Sequence, residues 1–237
     1  MIVVYSASRN LYPYLMATVQ SLLDHNQVDK IYLMIEDDRL PYDVPDVCEC
    51  INVSGQTYFT QESPNYRSCF TYMALMRSAY TKLFDAERVI QLDVDTIVCD
   101  SLEQIWQTDL HGKWLSACPE YKGTWRPYGA KYYNIGVAVF NLEQIRRDGI
   151  DDDVIKFLQT QKVPYLEQDA WNYYGLAAGK IVDMPIRFNE CFATGETDRP
   201  AIVHYAGFSN WMHDRVPRVE YLNIYRKCYR CIENREK

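Results

Sequence analysis

The 237-residue chain has no excess of positive charge: 25 Lys and Arg face 32 Asp and Glu, a formal net charge of -7. A nonspecific nucleic-acid binder needs a broad basic surface, and the acidic balance argues against that class. No apolar run approaches the roughly 20 residues that cross a bilayer. The start, Met1-Ile2-Val3-Val4-Tyr5-Ser6, lacks the basic n-region and long apolar stretch of a signal peptide, so a cytoplasmic location is expected. Cys228 and Cys231 have no second CxxC to complete a zinc set, and the eight cysteines are expected as thiols. Cys48 and Cys50 are assigned to opposite faces of a strand. Repeats, low-complexity tracts and linker-like shifts are absent, which favours one domain. Phenylalanine is scarce against tyrosine, 8 to 20. A ring with a hydrogen-bonding tip suits sugars and bases, but equally half-buried packing.

What is present is an alternation of strands and helices. Ile2–Ser6 reads as a buried strand, and 11–24 as a helix with Leu15, Val19, Leu22 and Leu23 on one face. Ile31–Ile35 and Cys50–Val53 follow as strands. Pro41 to Pro64 reads largely as loop. Helical spacing returns from Cys69 to Leu83, then a strand at Val89–Leu92. Ser101 can cap a short helix with Gln104 at its third position. Strands are predicted at Trp114–Cys118, Ile135–Phe140 and Ala201–His204, and helices at 142–148, 151–161 and 167–178. The β-α-β start predicts an α/β sheet with parallel strands. The tail from Val219 to Lys237 reads as a helix mixing Tyr221, Tyr225 and Tyr229 with Arg226, Lys227, Arg230 and Arg235.

The strongest candidate site is Val89-Ile90-Gln91-Leu92-Asp93-Val94-Asp95. Ligands of open α/β sheets bind at the carboxyl ends of strands. Two acids one residue apart at such an end repel, and a hard divalent cation is the usual remedy. The plainer alternative has one acid capping a turn and the other paired with an arginine. If the substrate carries phosphates, an acidic protein must neutralise them locally, and a cation does so while stabilising a diphosphate leaving group.

Three further blocks follow in order: Tyr132-Tyr133-Asn134-Ile135-Gly136-Val137, Glu167-Gln168-Asp169-Ala170-Trp171-Asn172, and His204-Tyr205-Ala206-Gly207-Phe208-Ser209-Asn210-Trp211. With the segment Tyr72 to Asp100, they resemble glycosyltransferase family 8, the family of glycogenin, galactinol synthase and the bacterial lipopolysaccharide galactosyl- and glucosyltransferases. The resemblance runs from Val3 to about His213. It implies a GT-A type fold: a Rossmann-like mixed sheet flanked by helices, with a catalytic domain over 1–215, a nucleotide-binding half to about residue 100, an acceptor-side half beyond, and a tail over 216–237.

The resemblance further implies that Asp93, Asp95 and His204 hold Mn²⁺, with Mg²⁺ as the alternative. Donor contacts fall on Ser6, Ser8, Asn10, Arg77, Asp93, Val94, Asn134, Gly136, Glu167, Gly207 and Asn210. Asp169 binds donor-sugar hydroxyls, and Gln168 sits near the anomeric carbon. Two positions depart from the family: Asn210 stands where a diphosphate-holding lysine is usual, and Ser8 where an acid often reads uracil. Arg77, Arg215 or Arg218 are the available replacements for the lysine. The implied reaction is retaining transfer of glucose or galactose from a UDP-sugar to a hydroxyl of a glycan or lipid-linked acceptor. Gln168 is an amide and a poor nucleophile, which favours same-face attack over double displacement. Tyr5, Tyr132, Tyr133 and Tyr205 are placed near the site, and Tyr72, Tyr80, Tyr173, Tyr174 and Tyr221 in packing. The tail is expected to pack on the domain, with contact to the inner face of a membrane as the alternative. Two competing functions remain: a GT-A-fold binding protein without turnover, and a phosphatase of the haloacid dehalogenase type with Asp93 as nucleophile.

Overall fold

The computed structural model describes residues 1–68, 70–121, 131–191, 194–195, 197–206 and 223. Cys69, Gly207, Asn210, Arg215, Arg218, the Cys228/Cys231 pair and the tail helix (apart from Asn223) lie outside them. Nine strands are described: β1 Ile2–Ser6, β2 Lys30–Ile35, β3 Cys48–Asn52, β4 Arg88–Leu92, β5 Thr96–Val98, β6 Leu115–Pro119, β7 Tyr133–Asn141, β8 Ile181–Asp183 and β9 Ile202–His204. The helices are α1 Tyr12–His25, α2 Tyr72–Met76, α3 Tyr80–Leu83, α4 Glu103–Trp106, α5 Leu142–Asp148, α6 Ile150–Thr160 and α7 Leu166–Ala177.

Seven strands form one sheet in the order β3-β2-β1-β4-β7-β6-β8. The β3-β2-β1-β4 half is parallel, as the β-α-β pattern predicts. β7 then runs antiparallel to both β4 and β6, which makes the sheet mixed rather than wholly parallel. Side-chain alternation sorts residues onto two faces. Val3, Tyr5, Ile31, Leu33, Ile90, Leu92, Val137 and Val139 join α1 residues in one core cluster. Val4, Tyr32, Met34, Val89, Ala138 and Phe140 join α5, α6 and α7 in the other. Both faces are covered, which explains the near-continuous apolar runs of the central strands.

A separate antiparallel ribbon of β5 and β9 matters most for function. Its register pairs Thr96 with His204. That pairing delivers a histidine from late in the chain to the residue after Asp95, and the Tyr205 amide donates to the Asp95 carbonyl at 2.9 Å.

Several sequence expectations are corrected. The helix predicted from Cys69 to Leu83 is broken by a 3₁₀ turn at Arg77–Ala79. There Ser78 Oγ donates back to the Leu75 carbonyl at 2.7 Å, a local bond that competes with regular helix. β5 and β8 are absent from the sequence reading because three residues carry too little periodicity. Cys48 and Cys50 both pack against the same core cluster, since positions two apart on a strand share a face. Tyr5 is fully buried beneath the sheet, with Thr18 Oγ1 donating to its hydroxyl, and so is not a base contact. Ser101 Oγ accepts from the Glu103 amide at 3.2 Å, but Leu102 is the capping residue of α4, which puts Gln104 at its second position rather than its third. Among the described residues, no helix is long and apolar enough to cross a membrane.

Candidate active site

Asp93 follows β4 directly, and β7 passes beside it, so that the Asp93 amide donates to the Gly136 carbonyl at 2.7 Å. Asp93, Asp95 and His204 converge, with one ligand atom from each lying within 4.8 Å of the others. His204 Nε2 lies 3.3 Å from Asp95 Oδ1 and 3.6 Å from Asp93 Oδ2. Burial opposes charge on this histidine, yet the facing Asp95 and Asp93 carboxylates hold its pKa well above the ordinary value. Burial pushes Asp93 up against the pull of Arg77. Burial acts on Asp95 too, but adjacent His204 wins and holds it below the ordinary carboxylate range.

One observation shows that these residues leave room for a divalent cation. Asp93 Oδ1 is answered by Arg77 Nη1 at 2.6 Å, whereas Oδ2 faces His204 and Gly136. Gly136 supplies the room. A Cβ there would lie 2.3 Å from His204 Cε1 and 2.6 Å from Asp93 Oδ2. Glycine keeps the strand from filling the space between the ligands. Two carboxylates with one imidazole form an oxygen-rich set suited to a hard or borderline divalent ion.

Arg77 bridges this cluster to α7. Its Nη1 also lies 3.3 Å from Glu167 Oε1. Glu167 is buried, and burial outweighs Arg77 to push its pKa up to about 7. Arg77, Asp93, Gly136, Glu167 and Gln168 line one cleft with Phe70, Ala74, Ile135, Tyr165 and Leu166. The sequence reading did not name Phe70 or Tyr165, whose rings stand 6.5 Å apart and are each more than a third exposed.

α7 enters this cleft through a strained residue: Leu166 has a φ of 50°, rare for a bulky side chain. Gln168 is held on both sides, its Oε1 accepting from the Ile135 amide at 3.0 Å and its Nε2 donating to Tyr132 Oη at 3.2 Å. Asp169 is fully buried, with Tyr132 Oη donating to Oδ1 and the Tyr165 amide donating to Oδ2. It is thus placed behind Gln168 rather than in the cleft. Tyr132 stands between the two, whereas Tyr133 packs in the core and donates to Asp183.

Asn134 is 8% exposed. Its Oδ1 accepts from the Gly136 amide at 3.0 Å and from Asn189 Nδ2 at 2.9 Å, and its Nδ2 donates to Glu120 Oε1 at 3.3 Å. Asn189 also touches His204, with 2.7 Å between Asn189 Oδ1 and His204 Nδ1. The sequence reading missed Asn189, a lone polar residue after a 3₁₀ turn with no motif around it. At the end of β1, Ser6 Oγ faces Tyr80 Oη at 3.3 Å, and Ser8 Oγ donates to Asn10 Oδ1 at 2.7 Å. Val94 is buried between the two acids.

The fold recurs in known proteins. The chain is 23% identical over 225 residues to glycosyltransferase GlyA of Streptococcus pneumoniae, covering 86% of this chain and 31% of that protein. It is 28% identical over 164 residues to glycosyltransferase GlyD of the same organism, covering 65% and 19%. The chain spans from 19% to 51% of the length of the curated relatives it matches. Among solved structures, the galactosyltransferase LgtC in complex with donor and acceptor sugar analogues superposes with a TM-score of 0.68 at 20% identity, over 96% of each chain. GlyE of S. pneumoniae gives a TM-score of 0.70 at 19% identity, covering 94% of this chain and 59% of that one. At these identities the likeness is one of fold, and it is the fold of GT-A glycosyltransferases. The family description "Glycosyl transferase family 8" matches residues 2–212, and the chain belongs to that family.

Proposed function

We propose that this chain is the catalytic unit of a divalent-metal-dependent, retaining glycosyltransferase. It moves a hexose, glucose or galactose, from a UDP-sugar to a hydroxyl of a glycan or lipid-linked acceptor. The observation that carries this reading is the convergence of Asp93, Asp95 and His204 around the side-chain-free space at Gly136. A bound Mn²⁺ or Mg²⁺ would supply Lewis-acid stabilisation of the departing diphosphate.

The chain's own groups divide the remaining work. Asp93, Asp95 and the Nε2 atom of His204 hold the cation. Arg77 already faces Asp93 and Glu167, so its role is to fix the Asp93 carboxylate at the cleft floor as well as to add positive charge there. Gln168 faces the anomeric carbon with its amide clamped by Ile135 and Tyr132. Asp169, with both oxygens engaged inside the protein, acts through Tyr132 to orient Gln168. Ser6, Ser8, Asn10 and Val94 border the nucleotide, and Asn134 and Gly136 the sugar. Holding donor and acceptor in attack geometry is the main rate contribution of such groups. In the reaction, the acceptor oxygen bonds to the anomeric carbon as its bond to the diphosphate oxygen breaks. The diphosphate leaves with the electron pair and takes the acceptor proton. The phosphatase alternative has no support from the family match.

A donor screen tests the reading. Hydrolysis of UDP-glucose, UDP-galactose and related sugars is measured with and without Mn²⁺. Metal-stimulated release of UDP from one hexose donor is expected. Binding of UDP and Mn²⁺ without turnover of any donor would assign a binding role instead, and no binding at all would sink both.

A further inference from the structure

The hydrogen bonds around Asn189 have a direction, and that direction can be read from one backbone group. The Gly136 amide can only donate, so the Asn134 side-chain atom that it meets at 3.0 Å is the carbonyl oxygen Oδ1. The Asn189 atom 2.9 Å from that same oxygen must then be a donor, Nδ2. The other Asn189 atom is therefore Oδ1, an acceptor, and it lies 2.7 Å from His204 Nδ1. An acceptor requires a proton on Nδ1. His204 thus carries its Nδ1 hydrogen toward Asn189 and turns Nε2 toward Asp93 and Asp95. Asn189, Asn134 and His204 are all buried, at 0%, 8% and 4% exposure, so water does not replace these partners.

We infer that Asn189 is a positioning residue that locks His204 in the ring orientation and tautomer able to ligate through Nε2, and that it ties this ligand to the Asn134–Gly136 turn. Metal-binding histidines owe their orientation to the partner of their second nitrogen, and loss of such partners weakens metal binding about 10- to 100-fold. The inference rests on the proposed metal site. It adds a residue that neither spacing nor motif identified, on a segment between β8 and β9 that belongs to none of the predicted blocks.

The test is calorimetric titration of Mn²⁺ into wild type, Asn189→Leu, Asn189→Asp and His204→Ala, with thermal melts of each metal-free protein. Leucine keeps the branched four-atom shape, slightly enlarged, and removes both hydrogen bonds. It is expected to weaken Mn²⁺ binding about 10- to 100-fold. Aspartate keeps an acceptor toward Nδ1 while its second oxygen faces the Asn134 oxygen, and it is expected to bind Mn²⁺ more tightly than the leucine variant. In the His204→Ala background, Asn189→Leu should have no further effect on Mn²⁺, since its action passes through the imidazole. A folded Asn189→Leu protein that binds Mn²⁺ as tightly as wild type overturns the inference. So does an undiminished leucine effect without His204. If the leucine variant does not fold, aspartate decides: binding lost in a folded Asn189→Asp protein also overturns it. Absence of Mn²⁺ binding by wild type would instead strike the proposed metal site itself.

Discussion

At the scale of single residues, the same substitution tests different physics at different glycines. Gly149 joins α5 to α6 with a φ of 65° and open space around its Cα, so alanine there pays only the left-handed backbone cost of ~1 kcal/mol. Gly136 has neighbours where a Cβ would go, and those neighbours are His204 and Asp93. Gly136→Ala is expected to cost ~1–3 kcal/mol in urea unfolding and to abolish Mn²⁺ binding, because the ligands must part to admit the methyl. Retained Mn²⁺ affinity in that variant would contradict the site geometry. Glu167 gives a pH prediction. Burial raises its pKa from the ordinary 4.5 to about 7. A raised folded-state pKa means that stability present below pH 4.5 is lost as pH climbs through about 7. Glu167→Gln cannot ionise and escapes that loss. The stability of the variant relative to wild type, in metal-free buffer, should rise by about 2–3 kcal/mol between pH 4.5 and 8. A flat difference across that range would show that Glu167 is not held in its raised state. The acids and His204 were legible in the sequence because a strand running into Asp-x-Asp, and the resemblance, both point at them. Asn189 was not, because a residue that acts through another leaves no spacing of its own.

At the scale of elements, strands with apolar runs of four residues or more were readable, and their boundaries moved by only a residue or two. The helix through Arg77 read as continuous because hydrophobic spacing of three and four fits both α and 3₁₀ turns. β5 and β9 illustrate the harder case. Neither strand is long, yet their pairing across about a hundred residues is what brings His204 to Asp95, a contact no local pattern encodes. The entry to α7 is similar, since nothing in Pro164-Tyr165-Leu166-Glu167 announces a left-handed leucine. That residue carries two opposed contributions. Its side chain is 1% exposed, and truncating such a leucine costs ~2–5 kcal/mol. Its backbone strain costs ~1–3 kcal/mol, which only glycine relieves. Leu166→Ala loses the packing and keeps the strain, whereas Leu166→Gly loses the packing and sheds it. The glycine variant should therefore be at least as stable as the alanine variant in urea, the reverse of the usual order at a helical position. Alanine ahead by ~1 kcal/mol would mean that the left-handed turn stores no strain worth relieving.

At the scale of the whole molecule, the acidic character of the chain and the metal site belong to one argument. A net charge of -7 offers no general attraction to a sugar nucleotide, so neutralisation has to be concentrated. The cleft shows how finely that charge is set: Asp93, Asp95 and Glu167 face Arg77 and His204, and Arg77 already answers two of the acids. A divalent ion held by Asp93 and Asp95 of the β4–β5 connection and by His204 of β9 would also tie the β5–β9 ribbon to the end of β4. A ligand that binds only the folded state stabilises it by about 2.7 kcal/mol at a hundred times its dissociation constant. For a chain of this size, that corresponds to a rise in melting temperature of about 5–10 °C. Wild type with saturating Mn²⁺ should show such a rise, and a chelator should reverse it. Asp95→Asn removes one of the three protein ligands and should lose most of the shift, together with metal-stimulated donor hydrolysis, while its metal-free melt stays cooperative. Measured by differential scanning calorimetry, an Asp95→Asn protein that gains as many degrees from Mn²⁺ as wild type would place the ion elsewhere. Turnover undiminished in the same variant would remove Asp95 from the chemistry altogether.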